Sequence, residues 1–348
     1  MRLVKLGWFC IVLLISSCDK DTVAPAENAY AFEVPPHFPV PVPDAHNPMT
    51  EAGIRLGRQL FYDRRLSANN KVSCASCHDP AKAFSDGVAL STSGVSDTQL
   101  LRHAPALFNL AWATNGLFWD GGSTNLESQA FGPLTAHDEM AQDLYELVDE
   151  LNADASYVKG FQEAFSAGIT SQNVAKALAQ FQRSLVSATS RYDDFRLGRN
   201  GAVLTPEEMS GLALVRQHCQ GCHSGELFTD NGYHNNGLDS RFDNQDHEGI
   251  FMGRYRISYD EGDLGKFKTP SLRNVTLTAP YMHDGRIPTL EKVLDHYSNG
   301  IQHSATLDGR IPQQGFAFSA VQKTQIIAFL ATLTDERFVS NPAHQKPH

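Results

Sequence analysis

Apolar residues recur every three or four positions through several stretches of the chain, and each such stretch predicts an amphipathic helix. "TEAGIRLGRQLFYD", starting at Thr50, places Ile54, Leu60 and Phe61 near one face. "MAQDLYELVDELNA" and "SQNVAKALAQFQRSLVSA" repeat the spacing. Farther on, Thr205-Pro206-Glu207-Glu208 has Thr at an N-cap, Pro at the first helical position and Glu at the third. The helix it opens runs straight into "HCQGCHSG". "SAVQKTQIIAFLATLTDE" predicts a last helix with Ser319 as cap and Ile326, Ile327, Leu330 and Leu333 turned inward. Strand-like alternation is scarce, so the expected class is mainly α. Residues 79–118 are punctuated by Gly, Ser, Asp and Pro and read as loops. Residues 19–48 are rich in Pro and Ala and read as a tether or extended strap outside the core.

Length and charge narrow the class. The 348 residues suggest two domains, with a polar, glycine-bearing connector near residue 200 as their boundary. The net charge of −10 makes nucleic acid a poor partner and small basic proteins better ones. The first residues add a compartment. Arg2 and Lys5 precede the apolar run "GWFCIVLLIS", which has the length of an export signal and is short for a bilayer span. The run ends in "LLISSC", similar to a bacterial lipoprotein cleavage site, so Cys18 is expected to become a lipid-bearing first residue. An ordinary signal peptide or a short uncleaved anchor is the alternative. Loss of Arg2 and Lys5 from the 29 basic residues leaves 27 against 39 acidic ones, or −12.

Cys10 goes with the signal, and the other four cysteines stand in two copies of one motif. These are Cys74, Cys77 and His78 in "SCASCHDP", and Cys219, Cys222 and His223 in "HCQGCHSG". Each copy follows a predicted helix, which suggests an internal duplication. Cys-x-x-Cys-His attaches c-type haem: two thiols reach the two vinyl groups and the histidine falls beneath the iron. An all-thiolate zinc site is the competing reading, but it has no use for a histidine after each pair. Thioredoxin-like redox pairs need a βαβ context that the pattern lacks. Two haems fit either an electron carrier or an enzyme with one open iron beside an acid/base group.

From about residue 46 to 335 the chain resembles the bacterial diheme cytochrome c peroxidase family, which includes the MauG-type enzymes. Besides the two motifs, the resemblance is carried by "RHAPALFNLA", "LFWDGG", "ESQAFGPLTAHDEM", "GKFKTPSLRNVTLTAPYMHDG" and "TLEKVLDHYSNG". It implies two cytochrome-c-like haem domains in tandem, the first peroxidatic and the second accepting electrons. The implied boundaries are a signal peptide at 1–17, a Pro-rich tether at 18–48, haem domains at 49–200 and 201–338, and a tail at 339–348.

The resemblance also implies roles for single residues. His78 and His223 are the proximal iron ligands. Trp119 of "LFWDGG" matches a tryptophan between the haems, Glu139 of "HDEM" the distal acid/base, and Gln129 a distal hydrogen-bonding glutamine. Thr278 and Pro280 match carbonyls that bind a calcium ion in relatives, but His103 stands where the family has an asparagine, which puts that ion in doubt. His283 of "YMHDG" also belongs to a string typical of the family. Two departures stand out. Residues 79–102 contain no histidine to cap the first iron, so that iron is expected to be five-coordinate in the oxidised protein. The distal ligand of the second haem falls on Tyr297, a methionine in the peroxidase branch and a tyrosine in the MauG-type branch; Met282, Met252 and His296 are its competitors.

The expected activity is reduction of hydrogen peroxide to water with electrons from a small periplasmic cytochrome c or copper protein. The alternative is MauG-type oxidation of partner-protein residues through high-valent haem iron, and a plain electron carrier comes third. The expected setting is the periplasm, with a lipid anchor at Cys18 and room for a second copy of the chain.

Overall fold

The computed structural model describes residues 29–347. The expected signal segment and Cys18 lie outside the described residues. Nine helices of six or more residues build the described chain: α1 Glu51–Phe61, α2 Leu126–Thr135, α3 Leu144–Asn152, α4 Ala155–Ala164, α5 Ser171–Ser184, α6 Arg191–Arg196, α7 Pro206–His218, α8 Leu290–Asn299 and α9 Ala320–Ala331. Two antiparallel strands, Tyr233–His234 and Phe267–Lys268, make the one sheet among these residues. The molecule is therefore mainly helical.

The helix starts follow the capping chemistry of the sequence. Thr50, Thr205 and Ser319 each accept a bond from the backbone N–H three residues on. Glu208 and Gln322 return the bond and close capping boxes. One start differs from expectation. Asp143 caps α3 at Leu144, so Met140–Gln142 stay outside the helix and Glu139 lies in the turn before it.

The two largest hydrophobic cores follow the chain order except that Phe338 returns to the first. The first gathers Leu60, Phe61, Phe84, Leu147, Phe161 and Phe181. The second gathers Tyr192, Leu212, Phe228, Ile326, Phe329 and Leu333. In each, the helix before the cysteine motif crosses a later helix at a glycine. A methyl group on Gly57 of α1 would lie 2.6 Å from the Ala177 carbonyl carbon and 2.9 Å from Phe181 Cβ of α5. A methyl on Gly211 of α7 would lie 2.6 Å from the Gln325 carbonyl carbon and 2.8 Å from Phe329 Cβ of α9. The same contact, glycine on a backbone carbonyl and on a phenylalanine four residues later, supports the duplication suggested by the motifs.

Two segments depart from the expected organisation. The strap is not outside the core: Phe38 is buried with Trp112, Ala188 and Leu227, and Phe32 and Val34 pack on them. The Trp112 indole donates to Pro39 O at 2.6 Å. His37 Nε2 meets Asp193 at 2.8 Å, and Asp193 also takes both arms of the fully buried Arg273 at 2.8 and 2.9 Å. Burial alone would raise the Asp193 carboxyl, but His37 and Arg273 hold it well below the usual carboxylate range. The tail is not free either. Arg58 donates to the Gln345 and Pro342 carbonyls, Tyr62 donates to His344 O at 2.6 Å, and Phe338 and His344 pack against Phe84 of the first core. Apolar strap residues and a returning C-terminus read as loops because their partners are distant in sequence.

Candidate functional site: two cavities, each floored by a Cys-x-x-Cys-His motif

The first motif is a turn of 3₁₀ helix after Ser73, and it closes when His78 N–H donates to Cys74 O at 3.0 Å. The His78 ring lies within hydrogen-bond reach of the Phe84 carbonyl through Nδ1, at 2.7 Å. A carbonyl can only accept, so Nδ1 carries the proton and Nε2 keeps a free lone pair. The second motif repeats this. His223 N–H donates to Cys219 O at 2.9 Å, and Nδ1 faces the Phe228 carbonyl at 3.2 Å. Burial pushes both imidazoles down, which keeps them neutral and able to ligate. All four thiols are free. Burial pushes Cys74 and Cys219 up to about 12 and Cys222 up to about 11.

The four cysteines do not converge. Among the described residues one group of three ligating side chains comes together, Cys222, His234 and Asp308, and it takes a single thiol. That removes the all-thiolate zinc reading. The residues do fit haem: each motif opens into a cavity walled largely by apolar side chains, with two thiols and a free imidazole nitrogen at its margin.

The first cavity is lined by Cys74, Cys77 and His78 together with Gln129, Pro133 and Glu139. Asn125 and Ser128 form a capping box that starts α2 and sets the helix bearing Gln129. The turn after α2 is pinned by Glu139 N–H to Ala136 O, Val95 N–H to Glu139 O and Ala68 N–H to Met140 O, at 3.0, 2.8 and 3.0 Å. Gly94 presses against this turn, where a methyl would sit 3.1 Å from Glu139 Cα. Burial, then the neighbouring Asp138, raises the Glu139 carboxyl above its ordinary value. Glu139 is the one carboxyl lining the cavity among the described residues, and His78 the one histidine. His103 follows the loop that lacks a histidine. Its Nδ1 lies 2.8 Å from Val88 O, and it lines the other cavity.

The second cavity is lined by Cys219, Cys222 and His223 with Trp119, Met282 and Tyr297. Trp119 Nε1–H donates to His103 O at 2.8 Å, and Trp119 O accepts from Lys268 N–H at 2.7 Å. Burial pushes the Tyr297 phenol up to about 12. Of the four candidate ligands from the sequence, Tyr297 and Met282 reach the cavity lining. Met252 lies in the loop near residue 250, and the His296 ring bonds Asn236 O at 3.0 Å. His283 stacks on Phe267, with ring centres 3.6 Å apart and planes 8° apart. Burial, then Arg102, pushes its imidazole down to about 3, so it is neutral where it lines the second cavity. Thr278 and Pro280, the expected calcium ligands, line this second cavity, and the Thr278 hydroxyl is turned onto Val275 O at 3.3 Å.

Leu107, Gln129 and Gln182 line both cavities, so the two adjoin. Gln182 was missed by the sequence reading. It is 5% exposed, and its side-chain amide makes no hydrogen bond among the described residues. Its signal was a polar residue inside the apolar stripe Val174, Leu178, Phe181 of α5. Asn236 had no signal, because Asn-Asn-Gly at 235–237 reads as a turn.

The sequence profile of the di-haem cytochrome c peroxidases matches residues 51–201. The methylamine utilization protein MauG of Methylorubrum extorquens is 38% identical over 301 residues, covering 85% of this chain and 82% of that protein. The chain belongs to the di-haem cytochrome c peroxidase family. Cytochrome c551 peroxidase of Nitrosomonas europaea is 32% identical over 285 residues, covering 81% of this chain and 80% of its own. Among solved structures, a MauG-like protein associated with microbial copper homeostasis superposes with a TM-score of 0.84 at 35% identity, covering 92% of this chain and 99% of that one. As a family member the chain is an oxidoreductase of the peroxidase kind, and both peroxidases and MauG proteins are among its relatives.

Proposed function

We propose that this di-haem family member consumes hydrogen peroxide at the first cavity and draws the two electrons through the second cavity from a partner protein. The halves 49–200 and 201–338 are each a cytochrome-c-like haem unit in this reading. The observation that carries it is the lone, half-buried Glu139 in a cavity where His78 is the one histidine. Haem bound at each motif supplies the iron that takes the peroxide in the first cavity and passes electrons in the second.

The residues of the chain do the remaining work. Cys74, Cys77, Cys219 and Cys222 provide the thioether links, and the free Nε2 atoms of His78 and His223 take the irons. The Glu139 carboxylate accepts the proton from the inner peroxide oxygen and returns it to the outer one, so that the outer oxygen leaves as water. With two electrons and two protons, one peroxide becomes two waters. A carboxylate whose affinity for protons is raised is the stronger base toward the peroxide proton. The Gln129 amide, which lines the same cavity, would offer a hydrogen bond to the peroxide. The Trp119 indole relays electrons. Its N–H faces a backbone carbonyl, too weak a base to take the proton, so the relay needs no proton transfer.

Tyr297, read as the ligand of the second haem, bears on the choice of donor. A phenolate ligand stabilises oxidised iron, which disfavours receipt of electrons from a small soluble carrier. The reading favoured here is oxidation of side chains on a partner protein, and the MauG relative supports it. Peroxide reduction with a cytochrome c or copper protein is the alternative. The chain would work in the periplasm, held to a membrane by lipid at Cys18. Steady-state peroxide consumption with a reduced small cytochrome c separates the two. The favoured reading expects no sustained turnover, whereas continuous oxidation of the cytochrome would establish the alternative.

A further inference from the structure

Two candidate ligands reach the second cavity, and one amide touches both. Asn236 Nδ2 lies 3.2 Å from Met282 Sδ and 3.5 Å from Tyr297 Oη. The orientation of the amide is fixed from the other end, because Leu238 N–H donates to Asn236 Oδ1 at 3.3 Å. Only the –NH₂ end can then face the sulfur and the phenol. The backbone is held as well. The His296 ring bonds Asn236 O at 3.0 Å, and His296 precedes Tyr297 on α8. Neighbouring Asn235 is 1% exposed and donates to Ser304 and Thr306 hydroxyls at 2.9 Å each. The segment 235–238 is therefore a rigid mount for one amide. Met282 sits at a positive φ of 77°, which fixes where its side chain leaves the backbone.

We propose that Asn236 is a positioning residue that selects Tyr297 over Met282 as the second axial ligand of the haem at Cys219, Cys222 and His223. One N–H occupies the Met282 sulfur and holds it back from the iron, while the other directs the Tyr297 oxygen. Such partners outside the ligand set orient the ligands and tune the metal. The choice matters chemically, since a thioether raises the potential of the haem and a phenolate stabilises its oxidised state. This inference rests on the reading of Tyr297 as a ligand.

The test uses the full holoprotein and three readouts: tyrosinate modes in the resonance Raman spectrum, the near-infrared sulfur-to-iron band, and the potential of the second haem. Asn236→Leu removes both N–H groups at similar volume. It is expected to lose at least half of the tyrosinate signal, gain the sulfur band and shift the potential upward. Adding Met282→Leu to that variant is expected to restore the tyrosinate signal. Asn236→Asp, which keeps the acceptor for Leu238 and lacks the donors, replaces Asn236→Leu if the latter does not accumulate with two haems. Wild-type Raman modes and potential in either variant overturn the proposal. Tyr297→Phe tests the underlying reading separately. An unchanged ferric spectrum there removes Tyr297 as a ligand, whatever Asn236 does.

Discussion

Replacing Glu139 with Gln deletes one proton carrier and nearly preserves the side-chain volume. A positioned acid/base contributes about 10²–10⁴-fold to rate. The structure sets where in that range the loss falls. No second carboxyl lines the first cavity among the described residues, and the Gln129 amide cannot carry a proton. Asp138 is adjacent in sequence but is held by His137 at 2.9 Å and does not reach the cavity. With no substitute base, peroxide consumption is expected to fall by about 10³–10⁴-fold, or about 4–5.5 kcal/mol of barrier. Stopped-flow mixing of the ferric holoprotein with peroxide across a pH series measures it. Wild-type rates should rise as Glu139 ionises, with a midpoint above the ordinary glutamate value of about 4.3. Asp138→Asn removes a raising charge and should move that midpoint down, while Glu139→Gln should be flat over the same range. Stability gives the control. The raised carboxyl favours the folded state below its unfolded value, and that contribution is lost as pH rises through the folded value. At neutral pH the Gln variant should therefore be at least as stable as wild type. A Gln variant within about tenfold of wild type, or one with the wild-type pH profile, would refute the assignment.

Other perturbations test the frame around the site. Gly211→Ala forces α7 off the Gln325 carbonyl of α9 and should cost about 1–3 kcal/mol in urea unfolding of the holoprotein, as should Gly57→Ala. Unchanged midpoints would contradict the close crossings. Arg273→Met leaves Asp193 buried without its two-armed partner and should cost about 3–5 kcal/mol at neutral pH. The depressed Asp193 carboxyl stabilises the fold above its unfolded value, so wild-type stability should fall as pH drops below about 4, and the Arg273→Met penalty should shrink there. Trp119→Phe should slow electron transfer between the haems while both optical spectra persist; an unchanged transfer rate measured by flash reduction would remove the indole from the route.

Local chemistry was legible in the sequence, and distant pairing was not. Thr205, Pro206 and Glu208 announced α7, and the capping box is there. The two cysteine motifs announced two cavities because ligand spacing is local, and Gln129 and Glu139 line the first. The strap hid its role because Phe38 packs on Trp112 and Arg273 on Asp193 only after the two halves meet. The same holds for Phe338 and His344, whose partners lie in the first core. α2 was overlooked because Gly132 and Pro133 interrupt its pattern, yet its capping box sets Gln129. Asn236 reads as a turn residue until Met282 and Tyr297 are brought to it from 46 and 61 positions away.

The measurement closest to the centre of this account is the addition of one equivalent of peroxide to the fully oxidised holoprotein, with no reductant present, followed by optical and electron paramagnetic spectra. A first iron left open beside Glu139 predicts an immediate spectral change and loss of the peroxide. Spectra that stay as they were until the second haem is first reduced would contradict it.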